Sequence, residues 1–98
     1  MPLQTLFKTI DGLSMTKMNV LHWHLVDAES FPYESASYPK LSELGAYDAK
    51  KAVYSASNIT DTVLYARMRG VLVLPEIDTP GHTGSFIKGY PEVVTNCW

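Results

Sequence analysis

The sequence predicts a slice of a parallel α/β fold. Three observations carry that expectation. Residues 18–26 (MNVLHWHLV) and 71–77 (VLVLPEI) are short, almost unbroken apolar runs, the pattern of strands covered on both faces. Helical periodicity precedes the first run and recurs between the two. Chain breakers, carboxylates and imidazoles crowd the end of each run. Two such strands joined through a helix pair in parallel by a right-handed crossover. A complete (β/α)8 barrel takes roughly 250 residues, whereas this chain has 98. We therefore expect a piece of a larger fold, or a chain that completes itself with another.

The elements follow in order. Leu3, Leu6, Phe7, Ile10 and Leu13 recur at helical spacing and predict a one-sided helix with Ser14 at its border. Pro2 suits the first helical position, where its missing N–H is not needed. The first strand runs over 18–26 and stops at Asp27. Residues 28–54 hold Pro32, Pro39 and Gly45 and no long periodicity. Residues 39–44 have room for one or two helical turns, stopped by Gly45. Phe31, Tyr33 and Tyr38 are expected to cover the edge of the sheet. A connection this long is usually functional. Ser55 is a good N-cap for the next helix, with Ile59, Val63 and Ala66 as its inner stripe and Met68 near the edge. Arg67 and Arg69 complement the negative end of its dipole, and Gly70 closes it. The second strand, 71–77, runs into the turn Asp78-Thr79-Pro80-Gly81-His82.

Composition narrows the functions. Hydrophobic residues make up 46% and charged residues 18%, an ordinary globular balance. Eight basic and ten acidic residues leave a net charge of -2 with no basic stripe, which argues against nucleic acid as a partner. No apolar run approaches the ~18 residues of a membrane span. Lys8 and Asp11 interrupt the stretch that a secretory signal would keep apolar, so no signal is expected in this chain. Cys97 is the single cysteine and has no internal disulfide partner.

Asp27, Glu76, Asp78 and His82 fall at or just after the strand ends, the edge where parallel α/β folds build their sites. His22 and His24, two apart, share one face of the first strand, and Trp23 and Leu25 take the other. Imidazoles on a buried strand need polar partners. Taken singly, each residue has a plainer reading: a structural histidine, a capping aspartate, a simple Pro-Gly turn. Trp23, Met15, Met18 and Met68 read most simply as packing. Two histidines, two acids and a Pro-Gly-His turn on one edge point to chemistry.

At these residues a family resemblance emerges. The string Lys17-Met18-Asn19-Val20-Leu21-His22-Trp23-His24-Leu25-Val26-Asp27, followed by Ser30-Phe31-Pro32, resembles the second-strand motif of family 20 glycoside hydrolases, the β-N-acetylhexosaminidases. Tyr65-Ala66-Arg67 with Arg69-Gly70, then Pro75-Glu76-Ile77-Asp78-Thr79-Pro80-Gly81-His82, is similar to the next helix and third strand of the same barrel. The resemblance implies a partial (β/α)8 TIM barrel, about two strands with flanking helices, residues 1–98 being the part with the second and third barrel strands. It implies hydrolysis of terminal N-acetylglucosamine or N-acetylgalactosamine by a substrate-assisted, retaining route, an exception to the two-carboxylate scheme. The substrate's acetamido oxygen is the nucleophile, so neither a cofactor nor a metal is implied.

The family's reacting pair is an Asp-Glu at the end of the fourth strand. This chain contains no Asp-Glu dipeptide and lacks the first-strand arginine that grips sugar hydroxyls. What carries over is support. By resemblance, Asp27 and His82 form a hydrogen-bonded chain toward the catalytic Glu. His24 and Asp78 match further positions at the pocket edge, and Glu76 takes a similar role. Cys97 stands where some lysosomal members carry a disulfide cysteine, whose partner would lie past Trp98. Asn58-Ile59-Thr60 is a glycosylation sequon. Together these fit a lysosomal or secreted parent, and a dimeric parent is compatible with the resemblance. The expected partner is a carbohydrate.

Two other readings stay open. A metal-dependent hydrolase on a similar barrel would use His22-x-His24 with Asp27 and His82; against it, His22 lies deep in its strand. Alternatively the chain alone is an inactive remnant or binding fragment, since open strand edges and an apolar face invite aggregation.

Overall fold

The first apolar stripe folds as α1, Leu3–Met15, in the computed structural model, which describes residues 1–95. Leu6 and Ile10 are its buried positions, with Leu3, Phe7 and Leu13 packed beside them. Pro2 stands one place earlier than expected, as the N-cap, where its carbonyl accepts from the Leu6 amide at 3.2 Å. The Ser14 hydroxyl donates to the Arg69 carbonyl at 3.1 Å and ties the end of α1 to the chain leading into the second strand.

Strand β1, Val20–His24, pairs in parallel with β2, Leu72–Glu76; Val20 lies opposite Leu72 and His24 opposite Glu76. Both strands are shorter than the apolar runs that announce them. The Leu25 amide still bonds the Glu76 carbonyl at 3.1 Å, so the pairing ends where the two chains turn apart. Between them α3, Ala56–Arg67, packs on β2 and on α1. Its start is a capping box: the Ser55 hydroxyl accepts from the Asn58 amide at 3.2 Å, and Asn58 Oδ1 accepts from the Ser55 amide at 3.1 Å.

Two sequence expectations are corrected by packing. The buried positions of α3 are Thr62 and Ala66, while Val63 and Met68 are exposed. Thr62 is admitted because its hydroxyl bonds the Asn58 carbonyl one turn back, at 2.8 Å, leaving its methyl for the core. Nor are both faces of the sheet covered. Trp23, Leu25 and Val71 are buried, but Val20, Leu72 and Leu74 are 44%, 63% and 53% exposed. They alternate with the buried set and form the opposite face, which no element among the described residues crosses. His22 and His24 belong to this open face, so neither is the buried imidazole the apolar run implied.

The segment after β1 is more ordered than a bare loop. Helix α2, Lys40–Gly45, agrees with the expected turns. It lies against a short 3-10 helix, Gly84–Lys88, that follows β2. Gly45 does more than end α2, because a Cβ there would stand 2.9 Å from the Ser85 carbonyl oxygen. Phe31, expected at the sheet edge, is a core residue at 1% exposure; it meets Phe86 edge-on at 5.1 Å. Trp23 meets Tyr54 in the same manner at 4.9 Å. Buried aromatics of this kind thus connect the sheet to the loops that carry the polar residues.

Candidate active site

The loops leaving β1 and β2 are clasped together. Ser85, fully buried, donates its hydroxyl to the Asp27 carbonyl at 2.6 Å. Gly84 lies so close to Ala28 that a Cβ would stand 2.9 Å from the Ala28 carbonyl oxygen. Asp27 and Ser30 exchange backbone bonds of 2.9 and 3.3 Å, closing a tight loop. The two polar clusters are therefore held against each other by small residues and backbone.

Asp27 Oδ1 takes two donors, the Ala28 amide and His82 Nδ1, each at 2.7 Å. The bond from His82, and then that from Ala28, holds the Asp27 carboxyl below its ordinary 3.8. The same contact pushes His82 above 6.5. A carboxylate only accepts, so Nδ1 carries the hydrogen and Nε2 is the nitrogen left for other chemistry. His82 adopts φ 58°, in the left-handed region. Such a conformation costs of order 1–3 kcal/mol in a non-glycine residue and persists only where the surroundings hold it.

His24 and Asp78 complete the edge. Asp78 Oδ2 stands 3.5 Å from His24 Nε2 and 3.9 Å from His82 Nε2. The two imidazole rings meet nearly at right angles, 5.2 Å apart. Asp78 Oδ1 is sealed from solvent and meets no donor among the described residues. Glu76, two residues back on the same face, reaches Asp78, and two touching carboxyls disfavour a second charge. The contact pushes Asp78 above 3.8 and, with help from His22, holds Glu76 below 4.5.

Asp27, His82, His24, Asp78 and Glu76 thus meet at one sheet edge, Asp27, Asp78 and His82 from the turns that follow the apolar runs and His24 and Glu76 from the strand ends themselves. His22 joins that group only through Glu76, to which it turns. The metal set that the rival reading assembled from His22, His24, Asp27 and His82 is not the one the fold brings together. Sequence reasoning missed Ser85 and Gly84, and read Gly45 only as a helix stop. The only signal for them was small residues beside the Pro-Gly-His turn and at the end of α2. Asn58 sits half-buried in the capping box, and Cys97 lies outside the described residues.

Comparison with known proteins agrees with this geometry. The model of glycosyl hydrolase family 20, catalytic domain, matches residues 1–98. Beta-hexosaminidase subunit beta of Rattus norvegicus is 47% identical over 98 residues, all of this chain and 18% of the relative. The subunit beta of Homo sapiens is 46% identical, again over the whole chain and 17% of the relative. The chain therefore spans less than a fifth of the length of these relatives. Among solved structures, a beta-N-acetylhexosaminidase from Bacteroides fragilis superposes with TM-score 0.88 at 36% identity, over 94% of this chain and 20% of that one. The N-acetyl-beta-hexosaminidase of Streptomyces plicatus gives 0.87 at 31% identity, over 99% and 20%. Two parallel strands with their flanking helices are here part of an α/β barrel, and the chain belongs to the catalytic domain of glycosyl hydrolase family 20.

Proposed function

We propose that residues 1–98 form one wall of the active site of a β-N-acetylhexosaminidase, as the segment with its second and third barrel strands. The substrate is a glycan ending in β-linked N-acetylglucosamine or N-acetylgalactosamine. One observation carries the reading: the 2.7 Å contact between Asp27 and His82 at the sheet edge of a family 20 segment. These are positioning residues. Asp27 holds the His82 ring by Nδ1 and directs Nε2 toward an acid supplied by polypeptide outside this chain. That acid protonates the leaving oxygen while the substrate's own acetamido oxygen attacks the anomeric carbon. His24, Asp78 and Glu76 support the pocket floor. A lysosomal or secreted setting belongs to the same proposal and is supported by the sequon at Asn58.

The test is a segment exchange. These 98 residues replace the matching segment of the rat subunit beta, and hydrolysis of p-nitrophenyl N-acetyl-β-D-glucosaminide is measured. The chimera is expected to turn over the substrate, and the 98-residue chain alone is not. A folded but inactive chimera, or turnover by the chain alone, contradicts the reading.

A further inference from the structure

The two strands carry a cross-strand pairing that their register does not favour. On the open face of the sheet Glu76 lies directly opposite His24, and His22 lies opposite Leu74. A strand spacing of about 4.8 Å and a rise of about 3.3 Å per residue put the opposite residue roughly 5 Å away and the diagonal one roughly 8 Å away. The Glu76 carboxyl nevertheless bonds the diagonal imidazole, at Nε2 of His22. A carboxylate only accepts, so that nitrogen carries the hydrogen. His24, the nearer imidazole, is left to Asp78, whose Oδ2 stands 3.5 Å from its Nε2. The His22 and Glu76 side chains are 60% and 40% exposed, and exposed pairs of this kind add little to stability. What the contact governs is the placement of its neighbours.

We propose that His22 is a further positioning residue: by taking the Glu76 carboxylate diagonally, it keeps that carboxylate off His24 and leaves the His24 ring at the pocket edge beside Asp78 and His82. Two further observations support the proposal. Contact with Asp78, and then the bond from His22, hold Glu76 below its ordinary 4.5, so it keeps its charge to lower pH than a free glutamate. Hydrogen bonds to a charged acceptor are roughly twice as strong as neutral ones, so such a carboxylate takes the imidazole N–H within its reach. With His22 gone, that imidazole is His24, its direct neighbour across the strands. Second, the His24 ring rests edge-on against His82 at 5.2 Å. A ring drawn onto Glu76 gives up that contact and its place beside Asp78. The influence of His22 on the edge therefore passes through Glu76. The proposal deepens the glycosidase reading and rests on it, since the edge that His22 orders is the pocket wall of that reading.

The test compares His22→Leu, which cannot donate to Glu76, with His22→Gln, whose amide can. In the chain labelled with 15N-histidine, His22→Leu is expected to move the His24 ring resonances, and adding Glu76→Leu to it returns them toward their original positions. In the chimera, His22→Leu lowers kcat on p-nitrophenyl N-acetyl-β-D-glucosaminide about tenfold, within the ~10²-fold that a 1 Å misplacement costs. KM and the thermal midpoint stay nearly unmoved, and His22→Gln retains most of the kcat. His24 resonances indifferent to His22→Leu overturn the proposal. So does an equal kcat loss in His22→Leu and His22→Gln, or a loss matched by a fall in the midpoint. Should His22→Leu lose helical circular dichroism, the unaltered chain decides: His22 must show a hydrogen-bonded Nε2–H, and one on His24 bonded to Glu76 instead overturns the proposal. If the unaltered chimera is inactive, the glycosidase reading falls and the spectra alone decide the role of His22.

Discussion

Ser85 donates its hydroxyl to the backbone carbonyl of Asp27 at 2.6 Å, across a separation of 58 residues. Through this bond the turn that carries His82 is registered on the loop that carries Asp27. The geometry of the Asp27–His82 pair therefore depends on a side chain that touches neither the carboxylate nor the imidazole. Ser85→Ala leaves the Asp27 carbonyl with only the longer bond from the Ser30 amide, at 3.3 Å, a loss of about 0.5–1.5 kcal/mol. Urea unfolding of the chimera checks this, and the Asp27–His82 contact should loosen, visible as a weaker His82 Nδ1–H resonance.

Gly45→Ala tests the same clasp from the other side. Its Cβ would meet the Ser85 carbonyl oxygen at 2.9 Å, and backbone cannot swing away as a flexible side chain can. We expect a destabilisation of about 1–3 kcal/mol, the usual cost of overpacking. A thermal midpoint equal to that of the unaltered protein would show that α2 has freedom the structure denies it.

The helix layer is tested by Ile10→Ala and Ser55→Ala. Ile10 is 0% exposed and faces the core shared by α1, β1 and α3, so truncation costs about 2–5 kcal/mol. Ser55→Ala removes one half of the capping box of α3, at a cost of about 1 kcal/mol. Denaturant midpoints should therefore rank Ile10→Ala well below Ser55→Ala.

A pH dependence follows from the outer layer. Arg69 Nε donates to Asp11 and its guanidinium lies 3.4 Å over the Tyr65 ring, while Phe7 stacks on Tyr65 at 4.2 Å. The bond from Arg69 holds Asp11 below its ordinary 3.8, so the unfolded chain binds that proton more tightly than the folded one. The stabilisation is present above the unfolded value and is lost as pH falls through the folded value. Asp11→Asn should flatten the acid limb of the stability profile, measured by urea midpoints from neutral pH downward.

Much of this arrangement was legible in the residues, for physical reasons. An apolar run followed by carboxylates and a Pro-Gly-His turn places its polar groups at a strand end whatever the remainder of the fold. Asp27, Asp78 and His82 were found that way. Thr62 was not, because a threonine that bonds the preceding helical turn is apolar toward the core, a fact that hydropathy does not record. Val63 was misplaced because one layer of packing covers a narrower stripe of α3 than its apolar residues span. The open sheet face was misread for a related reason. An apolar strand pattern reports the burial that a complete barrel provides, and 98 residues supply only two of its strands. His22 and Glu76 find each other by a diagonal contact across the two strands, which no reading of either strand alone contains.

The central claim is that Asp27 acts on chemistry through His82 and not by holding the fold together. Its most direct test is Asp27→Asn in the chimera, read as kcat on the chromogenic N-acetylglucosaminide alongside the thermal midpoint. Loss of a group that orients an acid–base partner lowers kcat by about 10²-fold or more, with the midpoint nearly unmoved and the loss largest where the unaltered chimera has its pH optimum. An unchanged kcat, or a loss of activity matched by an equal loss of folded protein, would contradict the account.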